Sequence, residues 1–195
     1  MESVEIRDGQ SARAYGSALM QAGHVRLVPS TEEHFVTLAQ WWQRPDWAVL
    51  QQDVVKPRPL SAIVEQFRQW SSNATTSSVG FSVMVGDTLV GHVTMWGIGP
   101  VTRTGTFAII IGPEHVGLGY GSAATRLMLA YGFEELGLHK IELTAWAYND
   151  AALRAYERCG FVREGVRREA VFHAGAYHDQ VQMGILEREY WAAKN

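Results

Sequence analysis

The segment Ile110-Ile111-Gly112-Pro113-Glu114-His115-Val116-Gly117-Leu118-Gly119-Tyr120-Gly121-Ser122 constrains this chain more than any other. An apolar strand runs into a loop with glycines at 117, 119 and 121, and a helix follows directly. Such a loop suits an anion. Glycines let the backbone come close, and the unpaired N–H groups of the helix's first turn face the ligand with the positive end of the dipole behind them. No Lys-Ser or Lys-Thr closes the loop, so it is not the phosphate loop of a nucleotide triphosphatase. Its spacing also departs from the dinucleotide-binding pattern, because Gly121 follows Gly119 by two residues rather than three. A plain strand-to-helix turn without ligand is the alternative, and the surroundings decide between the two.

Those surroundings alternate strand and helix patterns. Residues 1–23 are rich in Ser, Ala, Gly and Gln and show no clear period, which reads as an extension. A single domain over 24–195 then opens with a strand at 24–28. Ser30 and Glu33 have capping-box spacing ahead of Phe35, Leu38 and Trp42, which lie at helical intervals. Pro45 is expected to stop that helix, and 44–60, with Pro45, Pro57 and Pro59, reads as a loop. Ile63, Phe67 and Trp70 mark a second helix. Strands at 79–85 and 89–96 flank Gly86-Asp87, a hairpin signal. A strand follows at 106–111, then a helix over 123–136. At 140–147 Ile141, Leu143, Ala145 and Ala147 alternate with Glu142, Thr144 and Trp146. Asn149-Asp150 opens a helix that Gly160 closes, and 161–187 reads as a hairpin turning near Ala174-Gly175. Interleaving of this kind predicts an α/β (α+β) domain with a mixed sheet.

Composition narrows the function. A net charge of −3 offers no surplus of Lys and Arg for nucleic acid or an anionic membrane. One cysteine, Cys159, excludes an intrachain disulfide framework and a cysteine-rich zinc site and suits a reducing cytoplasm. The seven histidines show no metal-ligand spacing, so no metal is expected. No apolar run is long enough for a membrane span, and Glu2, Glu5 and Asp8 stand where a secretory signal would be basic and apolar. A cytoplasmic location is expected.

Thirty residues beyond the loop stands Asn149-Asp150-Ala151-Ala152-Leu153-Arg154-Ala155-Tyr156-Glu157-Arg158-Cys159-Gly160-Phe161. Together with residues 116–121 it resembles the GCN5-related N-acetyltransferase (GNAT) superfamily. Gly-Pro-Glu-His at 112–115, Leu-Gly-Leu-His-Lys at 136–140 and Gly-Ala-Tyr-His-Asp at 175–179 resemble the branch of ribosomal-protein alanine and spermidine acetyltransferases. The resemblance implies a mixed, mostly antiparallel sheet whose central parallel strands, 106–111 and 140–147, splay apart, with helices on its flanks. It implies acetyl-CoA in the splay, its pantetheine amides on the edge of Ile109, Ile110 and Ile111. The pyrophosphate would rest on the amides of Val116, Gly117, Leu118, Gly119, Tyr120, Gly121 and Ser122. Val116 departs from the Arg or Gln that the family carries there.

The implied reaction is transfer of an acetyl group to a primary amine, of a small molecule, a polyamine or a protein N-terminus. Tyr156 matches the family's acid position, where hydrogen bonding to the departing thiolate is the safer description of its role. Asn149 fits either a coenzyme or water contact or a plain helix N-cap. The base is open. Thr106 stands where spermidine acetyltransferases carry Glu, which counts against a polyamine, and His92 reads first as a satisfied sheet residue. Trp41, Trp42, Trp47 and Trp70 read mostly as core, with one or two able to shape an apolar acceptor pocket. An acyl-CoA-binding module without catalysis is the competing reading, and a homo-oligomer is left open.

Overall fold

The computed structural model describes residues 6–194. Its elements are α1 Gly9–Leu19, β1 Gln21–Ala22, β2 Val25–Val28, α2 Glu32–Trp42, α3 Pro45–Ala48, α4 Leu60–Trp70, β3 Ser78–Val85, β4 Thr88–Trp96 and β5 Thr104–Ile111. After the glycine loop come α5 Tyr120–Ala130, β6 Lys140–Trp146, α6 Asp150–Arg158, β7 Val162–His173, β8 Ala176–Leu186 and α7 Glu187–Lys194. A π-helical turn, Tyr131–Glu135, extends α5 toward β6. Among the described residues no helix is long and apolar enough to cross a membrane.

The strands form one sheet in the order β1-β2-β3-β4-β5-β6-β8-β7. Every neighbouring pair is antiparallel except β5 and β6. That parallel pair holds only three rungs, Thr104 with Lys140, Gly105 with Ile141 and Thr106 with Glu142. Beyond them β5 continues to Ile111 along β4, while β6 continues to Trp146 along β8. The two halves of the sheet therefore part, as the resemblance implied. One face carries the larger core, in which Val93, Met95 and Phe107 of the sheet meet Leu127 and Met128 of α5 and Leu153 of α6. The other carries a smaller core of Phe35, Leu38 and Ala39 from α2 and Ile63 and Phe67 from α4, set over Ile110.

Local departures from the sequence expectation have local causes. The cap of α2 is one residue later than expected. Thr31 is the N-cap, its hydroxyl accepting from the His34 amide while His34 accepts from the Thr31 amide. Pro45 does not merely stop α2; it starts α3, because a first helical position has no use for the missing N–H. The segment expected as an extension contains α1, capped by Asp8 and Ser11, and β1, which joins the sheet beside β2. Nothing in α1 is buried, so it has no apolar period to read. Trp146, opposite the core face of β6, is buried too. The charged helix α7 follows the hairpin, where the sequence reading placed no element.

Candidate active site

The gap between β5 and β6 opens into a cavity of about 1200 Å³ that continues beneath α2 and α4 on one side and reaches α5 and α6 on the other. Its anion end is the glycine loop. Gly117 and Gly119 take φ of 78° and 83°, a left-handed backbone that disfavours any Cβ. A Cβ at either would meet nothing within 4 Å, so glycine is needed there for backbone angle and not for room. Gly119 is the N-cap of α5 and no side chain caps that helix. The first intrahelical bond is Ala123 N–H to Gly119 O, which leaves the preceding amides of the first turn unpaired. Gly121 is small for a second reason: a Cβ would lie 3.3 Å from Ile111, where α5 presses on β5.

The edge of β5 is only partly free. Gly112 N–H donates to Val90 O, which sets the phase of the β4–β5 ladder. By antiparallel alternation the main-chain groups of Ile110 face β4, opposite His92, while those of Ile109 and Ile111 face the gap. The expectation that all three present their backbone to a ligand is corrected to two. Ile111 O already accepts from the Trp47 indole N–H at 3.0 Å. That bond holds α3 over the cavity, helped by Tyr148 Oη donating to Val49 O at 2.7 Å.

Tyr156 projects from α6 to the cavity wall, edge-on to Phe107 and Phe161 at 6.5 and 5.9 Å. Burial pushes its phenol up to about 12, so it stays protonated and can donate a hydrogen bond at neutral pH. Among the described residues its hydroxyl has no hydrogen-bond partner, yet it is not sealed from the cavity. Two contacts fix α6 against α5: Cys159 Sγ to Ser122 O at 3.6 Å and Arg126 Nη2 to Arg158 O at 3.3 Å. Cys159 is buried and belongs to the larger core. Asn149 caps α6 by accepting from Ala152 N–H at 3.3 Å and also borders the cavity.

Of the loop residues, Val116, Gly117, Gly119, Gly121 and Ser122 line the cavity. Leu118 points outward and is 59% exposed, and Tyr120 packs on the larger core. Sequence reasoning missed Arg126 and Arg158, the two cations in the wall. Arg126 was within reach of it, because four residues after Ser122 a helix returns to the same face. His92 is buried and bonded through Nε2 to Ser71 Oγ at 2.7 Å, and burial drives its pKa down to about 3. It is a neutral, satisfied sheet residue, as first read. Among the described residues no cluster of His, Cys, Asp and Glu is placed to hold a metal ion.

Residues 24–162 match the acetyltransferase (GNAT) domain. This chain belongs to that family. A spermidine N(1)-acetyltransferase of Vibrio cholerae is 41% identical over 102 residues, 52% of this chain and 59% of that protein's length. The crystal structure of the spermidine N-acetyltransferase from Vibrio cholerae in complex with CoA and spermine superposes with a TM-score of 0.77 at 28% identity, covering 86% of this GNAT chain and 98% of the other. A dodecameric structure of the spermidine N-acetyltransferase from that organism gives 0.72 at 27% identity, covering 88% and 99%.

Proposed function

We propose that this chain transfers the acetyl group of acetyl-CoA to a primary amine. One observation carries the reading: a single cavity runs from the unpaired amides behind Gly119, past the gap-facing edge of Ile109 and Ile111, to Tyr156. The fit to the coenzyme is chemical. A left-handed glycine pair ahead of an uncapped helix suits a diphosphate, and Arg126 and Arg158 offer the fixed charge that Val116 does not. A strand edge with alternate free amides suits a pantetheine arm. Asn149 adds a polar contact at the same wall.

In the reaction the amine nitrogen forms a bond to the acetyl carbon and the thioester C–S bond breaks. The nitrogen gives up its protons to solvent or a base, and the thiolate takes one to leave as free thiol. Full transfer from a phenol near pKa 12 to a thiolate near 8.5 is uphill by about 5 kcal/mol. Tyr156 therefore works by donating a hydrogen bond to the growing negative charge on sulfur. His92, held neutral and already bonded to Ser71, is a poor proton acceptor, which leaves the ammonium proton to water in the open cavity. Self-association belongs to the same proposal, supported by the dodecameric relative.

The test is calorimetric titration with coenzyme A, followed by thiol release from acetyl-CoA across a panel of amines. Binding together with amine-dependent release is the expected result. Binding without release on any amine would make the chain a coenzyme-binding module, and an absence of binding would remove the proposal altogether.

A further inference from the structure

We infer that the acceptor is a small primary amine with one positive charge and an aromatic or apolar body, in place of a polyamine. This rests on the acetyl-transfer reading above and names its second substrate. Five of the seven tryptophans, Trp42, Trp47, Trp70, Trp96 and Trp146, line this cavity. Trp42, Phe67 and Trp70 interlock edge to face, with ring centroids 5.2–5.8 Å apart, and form a stiff aromatic wall under α2 and α4. Trp47 is held in place by its bond to Ile111 O. Trp96, at the end of β4, is 44% exposed and forms the rim.

The charges in the same wall are few. Among the described residues Asp53, on the exposed lip, is the one carboxylate that lines it. The sheet contributes Thr94, Thr106 and Thr144, which are neutral hydroxyls. The cations Arg126 and Arg158 stand at the coenzyme end and repel any further ammonium group. A polyamine would bring several ammonium groups into this space, and all but one would lose hydration without a partner. A single ammonium is matched by Asp53 at entry and by indole faces inside. Its apolar remainder gains from burial against the rings.

The test is steady-state thiol release from acetyl-CoA with 2-phenylethylamine, tryptamine, spermidine and a short peptide bearing a free N-terminal alanine. The expected kcat/KM for the two arylalkylamines is at least tenfold above that for spermidine or the peptide. In Trp96→Ala, a change at an exposed position, the arylalkylamine kcat/KM should fall at least fivefold, mostly through KM, with coenzyme affinity by calorimetry unchanged. A preference for spermidine or for the peptide overturns the inference and leaves acetyl transfer standing, as does an unchanged KM in Trp96→Ala. Coenzyme binding with no turnover on any of the four would overturn both.

Discussion

Tyr156 packs edge-on to Phe107 and Phe161, and its hydroxyl, without a partner among the described residues, is left to face the cavity. Tyr156→Phe keeps the ring packing and removes only that donor. We expect turnover to fall at least tenfold with coenzyme affinity nearly intact, read by thiol release and calorimetry on the same preparation. Because burial holds the phenol near 12, its ionisation should leave no mark on the pH–rate profile below about pH 10. His92 gives a second prediction, on stability. Folded, it resists protonation down to about 3, whereas in the unfolded chain it takes up a proton near 6.5. Between those values the unfolded state binds more protons, so native stability is full above the upper value and declines as pH drops through the window. The slope is roughly 1.4 kcal/mol per unit. Urea unfolding at pH 6.5 and 5 should show about 2 kcal/mol of extra loss in the parent relative to His92→Gln.

At the level of elements, two glycines separate conformational need from helix propensity. Gly119→Ala forces a side chain into a left-handed backbone and should lower stability by roughly 1–2 kcal/mol and weaken coenzyme binding as the first-turn amides shift. Gly16→Ala, in an exposed stretch of α1 with open space around it, should raise stability by about 1 kcal/mol and leave the coenzyme untouched. Both are read from denaturant midpoints. The strands were legible because one or both faces are buried and alternation or apolar runs follow from that. The glycine loop and the 149–161 run were legible because left-handed turns at Gly117, Gly119 and Gly160 and the cap at Asn149 demand particular residues at particular spacings. Helices α1 and α7 were not, since neither buries a residue and a helix without an apolar stripe leaves no period. Arg126 escaped notice because a lone arginine on a helix is ordinary until the fold shows what its face looks upon. The cap at Thr31 was misread by one position, because His34 can close the box as well as Glu can.

For the molecule as a whole, the weak place is the seam where three rungs join two otherwise antiparallel half-sheets. A ligand bridging that seam should stabilise the native state by linkage, by about 2.7 kcal/mol at a hundredfold excess over Kd. We expect the thermal midpoint to climb with coenzyme concentration. Amide exchange should slow at Ile109, Ile111 and the first turn of α5, while Ile110, already paired across the ladder, should change little. The same seam also orders events during synthesis. Apart from the three rungs between β5 and β6, the pairings of the first five strands lie within residues 21–111 and those of the last three within 140–186. A nascent polypeptide can thus complete its amino-terminal half-sheet before β6 leaves the ribosome. The cleft is created only when the carboxyl-terminal half-sheet docks, so the proposed site is the last thing the chain builds.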